Sequence, residues 1–83
     1  MQFDECQEGE YRIFVGALDA PRGEGYIAAV VVSHLAAPGG RPREVWRDDS
    51  LACGYRWPSP SAALLYAKTR AREMVRKASP MLA

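Results

Sequence analysis

Residues 26–35, Tyr-Ile-Ala-Ala-Val-Val-Val-Ser-His-Leu, limit the fold more than any other stretch of the chain. Ile27, Val30, Val31 and Val32 are β-branched, and such side chains favour a pleated surface over a helix. Side chains alternate along a strand. Tyr26, Ala28, Val30 and Val32 therefore share one face, and Ile27, Ala29 and Val31 share the other. A strand apolar on both sides has the pattern of one covered on both. The chain must supply neighbouring strands and at least one covering layer, and 83 residues are enough for a single domain only. A multidomain enzyme, a repeat array and a disordered chain are excluded.

The neighbours are legible. Tyr11 to Leu18 reads as a strand, with Tyr11, Ile13, Val15 and Ala17 on one face and Arg12, Phe14, Gly16 and Leu18 on the other. Residues 19–25 are dense in turn formers and predict a hairpin loop, and residues 36–42 predict a second loop. Glu44 to Asp48 predicts a third strand carrying Val45 and Trp46. Residues 53–57 predict a further extended piece with Cys53, Tyr55 and Trp57 on one side. The pattern does not decide whether residues 44–57 make one strand or two.

The covering layer is a helix. Ser59 can cap it, and Pro60 falls at the first helical position, where its fixed φ fits. Ala63, Leu64, Ala67, Ala71, Met74, Val75 and Ala78 then recur at three and four, forming one stripe. Pro80 is expected to end the helix after Ser79. The small alanines would let the helix lie close to a sheet. The expected fold is α+β with two layers: an antiparallel meander of three strands, or four, and one C-terminal helix on one face. The expected boundaries are a flexible acidic arm over 1–10, the βββα domain over 11–79 and a tail over 80–83.

The net charge of +1 gives no strong pull toward nucleic acid or membrane. Its distribution is uneven. Residues 1–10 hold Asp4, Glu5, Glu8 and Glu10 and no base, whereas the last helix holds Lys68, Arg70, Arg72, Arg76 and Lys77 against Glu73. The simplest reading is a solvated tail and a solvated helix face that attract each other. Cys6 and Cys53 show no framework spacing, and the start is acidic rather than basic-then-apolar. The longest uncharged run, Gly25 to Gly40, falls short of the roughly 20 apolar residues a spanning helix needs. These features predict a cytoplasmic protein with free thiols and no membrane partner.

No catalytic constellation emerges. His34, the sole histidine, could pair with Cys53 for nucleophilic chemistry, but no orienting third group is visible. Cys6, His34 and Cys53 are scattered and match no metal-ligand spacing, and Asp48-Asp49 reads as a solvated turn. The glycine loops at 22–25 and 38–43 match no phosphate or dinucleotide fingerprint. No metal, cofactor or enzymatic activity is expected.

Two surfaces remain. One helix covers one face of a sheet, so the other face is left apolar, which marks an interaction surface. Arg12 marks the more polar side of its strand and so assigns Phe14, Leu18, Ile27 and Val31 to the face away from the helix. A reversed register would exchange the faces. A homodimer or another protein is the expected partner. The second surface is the helix flank, where Lys68, Arg72 and Arg76 recur every fourth residue with Arg70 on the opposite flank. These bases could snorkel over the core or grip phosphates, which makes nucleic-acid binding the alternative function.

The stretch Gly25-Tyr26-Ile27-Ala28-Ala29-Val30-Val31-Val32, then Gly54-Tyr55-Arg56-Trp57-Pro58-Ser59-Pro60-Ser61-Ala62-Ala63 and the Ala67/Ala71 helix, resembles small bacterial β-β-β-α proteins, among them the N-terminal domain of HicB-type antitoxins. The resemblance spans roughly residues 11–78 and implies the layer order and a tendency to dimerise. The antitoxin pattern after the second strand is missing, and the chain leaves no room for the DNA-binding domain that follows in that family. Its toxin and operator contacts are therefore not carried over.

Overall fold

The computed structural model describes residues 1–35 and 39–82, the last five as backbone only. Four antiparallel strands lie in sequence order: β1 (Gln2–Glu8), β2 (Tyr11–Asp19), β3 (Tyr26–His34) and β4 (Arg43–Asp48). A short turn, α1 (Leu51–Gly54), follows, and a long helix, α2 (Pro60–Leu82), closes the described chain. This is the expected two-layer α+β meander.

The core lies where the alternation put it. Ile13, Val15 and Ala17 of β2 pair with Val32, Val30 and Ala28 of β3, and all six are buried. Ala63, Ala67, Ala71 and Val75 of α2 are buried against them. Full burial of a Val or Ile stabilises by about 1.5–3 kcal/mol, so Ile13, Val15, Val30 and Val32 form the main source of packing energy. Leu64 packs at the margin, Met74 is 40% exposed, and the side chain of Ala78 lies outside the described residues. The helix starts as its signals require: the Ala62 backbone N–H donates to the Ser59 Oγ at 3.2 Å, and Pro60 is the first helical residue.

Three expectations are corrected. Residues 1–10 do not form a loose arm. Gln2–Glu8 is the edge strand β1, in register with β2 from Gln2↔Ala17 to Glu8↔Tyr11. β1 pairs along one margin only and turns Phe3, Glu5 and Gln7 to the open face, so it needs no apolar alternation and shows none. Residues 53–57 do not form a strand. Ala52 and Cys53 take left-handed conformations (φ 54° and 56°), with only the buried Leu51 anchoring the turn to the core. Of the alternating trio, Trp57 alone pairs with the sheet, through a two-bond bridge to Tyr26. Lastly, the helix continues through Pro80 to Leu82. Proline removes one helical hydrogen bond, which matters least in a final turn. The loop expected at 36–42 falls partly outside the described residues.

Candidate interaction surface

Phe14 pairs with Val31 and Leu18 with Ile27 across β2 and β3, on the face turned away from α2. The structure thus brings all four residues of the expected interface onto the uncovered face. Phe3 of β1 joins them. It sits opposite Gly16, and its ring carbons lie 3.1 Å from where a Gly16 Cβ would stand. The missing side chain is what lets the ring lie flat on the sheet. Phe3 is 69% and Phe14 41% exposed. Sequence reasoning missed Phe3 because it was assigned to the arm. The signal was its place as the lone aromatic in an acidic segment.

Phe3, Phe14, Leu18 and Val31 line a shallow groove of about 190 Å³, with Arg47 and Asp49 at its end. Small-molecule sites run to roughly 300–1,000 Å³ and enclose their ligand. This groove is too small and open for one, which favours a contact surface. Charged side chains frame it: Arg12 approaches Glu5 at 4.0 Å, and Arg47 donates to Glu44 at 2.8 Å. A depression of about 400 Å³ at the loop end is lined by Asp19, Ala20, Gly23, Gly25, Tyr26 and Pro58. Its one carboxylate, Asp19, is paired with the Met1 ammonium at 3.1 Å.

The basic flank of α2 is mostly engaged at home. Lys68 donates to Asp4, the Arg72 guanidinium lies 3.6 Å from Glu8, and Arg70 donates to Glu73 at 3.0 Å. Arg76 has no ion pair among the described residues. The even-numbered acids of β1 face the helix, so the strand order itself brings the acidic start against the basic end. The attraction anticipated between the two ends is therefore present, in a strand rather than a tail. These pairs are exposed and individually weak.

The hydrogen bond from Lys68, aided by the Glu5 backbone N–H, holds the Asp4 carboxyl below its ordinary range. The Arg47 guanidinium does the same for Glu44, and Glu44 raises Arg47 in return. A lowered folded-state value favours folding above the unfolded carboxylate range and loses that contribution as pH falls through the folded value. We expect the small stability difference between the parent and Asp4→Asn to be constant above the ordinary carboxylate range and to shrink as pH falls through and below that range. Urea titrations at four pH values check this; a difference that grows on acidification would contradict the assignment.

His34 and Cys53 do not form a reactive pair. The His34 ring lies 4.9 Å from Tyr11 and its Nε2 3.3 Å from Glu10, while Cys53 sits exposed on the α1 turn. Among the described residues, no three His, Cys, Asp or Glu side chains gather as a metal-ligand set. No helix among them is long and apolar enough to cross a membrane. No family model matches the chain, and neither a curated protein nor a solved structure matches it. The likeness to HicB-type antitoxins stands on its quoted residues alone.

Proposed function

We propose that this protein is a small non-enzymatic interaction module that binds a second copy of itself through the uncovered sheet face. One observation carries the reading: Phe14, Leu18, Ile27 and Val31, joined by Phe3, form an apolar face that no helix covers. A solvent-exposed apolar patch of this kind is stabilised by removal from water. A second copy suits it because its margins are complementary. A two-fold axis along the strands lays the β1 margin of one copy over the β4 margin of the other. Glu5 then faces the partner's Arg47 rather than another acid. The dimerising tendency implied by the resemblance points the same way. Two free thiols fit a reducing cytoplasm. The ion pairs of Lys68 and Arg72 with β1 weigh against nucleic-acid binding, since phosphates would have to displace both carboxylates.

Val31→Lys tests the face. A lysine there is readily solvated in a lone chain and unpaired in a face-to-face contact. The variant should halve the mass measured by light scattering at two protein concentrations, with unchanged far-ultraviolet circular dichroism. A variant with the parent's mass removes this interface, and a monomeric parent removes self-association altogether.

A further inference from the structure

We infer that β4 is a second self-recognition surface, which adds the β4 strand of another copy across a two-fold axis to make one continuous eight-stranded sheet. β4 is an edge strand: β3 takes one side, and nothing among the described residues pairs with the other. Its sequence, Arg43-Glu44-Val45-Trp46-Arg47-Asp48, reverses the sign of every charge when read backwards. Run antiparallel to itself about its centre, it sets Arg43 opposite Asp48 of the second copy and Glu44 opposite Arg47 of the second copy. Val45 meets Trp46 in the middle. Every charge in the strand then faces its opposite, and such directly opposed pairs are the stabilising unit of a sheet.

Pleating would normally forbid this match. A two-fold axis normal to a sheet opposes residues on the same face, and in a regular strand residues 44 and 47 point to opposite faces. β4 is not regular. Its register with β3 slips between Val32 and Ser33: Val32 pairs with Trp46 and Ser33 with Glu44, which leaves Val45 as an extra residue. Glu44 opposite Ser33 and Arg47 opposite Val31 consequently share the open face. Arg43 opposite His34 and Asp48 opposite Val30 share the helix face. The bulge places the complementary charges where a second copy can reach them. Val45, 52% exposed, is left at the centre of the free edge beside the half-buried Trp46. A groove of about 160 Å³ between Trp46 and Met74 lies at this same edge.

Edges protected against pairing carry charges that repel their own copies. β1 has that character: paired with itself about its centre, it sets Glu5 against Glu5. β4 has the opposite one. The edge contact buries none of the apolar face, which lies at right angles to it; Arg47, opposite Val31, borders both.

The test uses single charge reversals in the Val31→Lys background, where the face is disabled. With face and edge both in use the parent is a four-copy species, and Val31→Lys should halve it to a two-copy one. Adding Glu44→Arg, or adding Arg47→Glu, should each weaken that species about tenfold or more, because like charges then oppose across the axis. Mixing the two reversed variants should restore it as a heterodimer in native mass spectrometry. The cis pair Glu44–Arg47 is broken in both variants, so only a contact between copies explains recovery. A strictly monomeric Val31→Lys, or no heterodimer on mixing, overturns the inference. If Val31→Lys leaves the parent's mass unchanged while mixing rescues, the edge stands and the face falls.

Discussion

Ala67→Leu should destabilise the fold by about 3 kcal/mol, the upper end of what overpacking a core produces. Ala63, Ala67 and Ala71 are each 0% exposed and face Ile13, Val15, Val30 and Val32. Three small residues at four-residue spacing set the distance between α2 and the sheet. A leucine in the middle has no space in either layer, so the helix must lift or the side chain must leave its rotamer well. Lifting the helix exposes the four largest fully buried side chains together, which is why the effect exceeds that of one residue. Against a total of roughly 4–12 kcal/mol for a chain of this size, such a loss is severe. It corresponds to a fall in Tm of roughly 12–24 °C. Leu65→Ala, at a site 67% exposed on the same helix, should change stability by less than about 0.5 kcal/mol. Urea denaturation of both variants gives the comparison. An Ala67→Leu variant as stable as its parent would mean that the helix does not lie close on the sheet.

What the sequence could reveal follows from where periodicity had a physical cause. β2 and β3 are buried on one face by α2, so Ile13, Val15, Val30 and Val32 had to alternate, and both strands were readable to within a residue or so. The helix start was readable because Ser59 and Pro60 act locally. β1 was hidden because its partners are a neighbouring backbone and the cations of α2. Neither leaves an apolar period in Gln-Phe-Asp-Glu-Cys-Gln-Glu. The α1 turn was hidden for a different reason: Ala52 and Cys53 adopt positive φ without being glycine or asparagine, so no residue type announced it. At the interaction surface, the face assignment followed from Arg12 and the alternation, and it holds for all four residues named. The β4 bulge was not legible, since only the register with β3 reveals that Glu44 and Arg47 share a face.

Gly25→Ala should cost about 3–4 kcal/mol, for reasons that can be separated by a control. Gly25 has φ of +98°, a region that L side chains rarely adopt, which alone costs of order 1–2 kcal/mol. A Cβ there would also stand 2.5 Å from the Trp57 carbonyl oxygen, inside van der Waals contact with backbone. That oxygen accepts from the Tyr26 N–H at 2.9 Å, and the Trp57 N–H donates back to Tyr26 at 2.8 Å. Relieving the clash therefore breaks the bridge that ties residues 55–57 to β3. The Trp57 ring, 4.8 Å from Tyr66 and 4.6 Å from Tyr55, moves with it, loosening the aromatic contact at the start of α2. Gly39 has a similar φ of +90° and, among the described residues, nothing within 4 Å of its would-be Cβ. Gly39→Ala should consequently show the conformational part alone, about 1–2 kcal/mol. The difference between the two variants in urea denaturation measures what the Tyr26–Trp57 crossing contributes. Equal losses would mean that the backbone of Trp57 gives way freely, and the reason for a glycine ahead of Tyr26 would then be its φ alone.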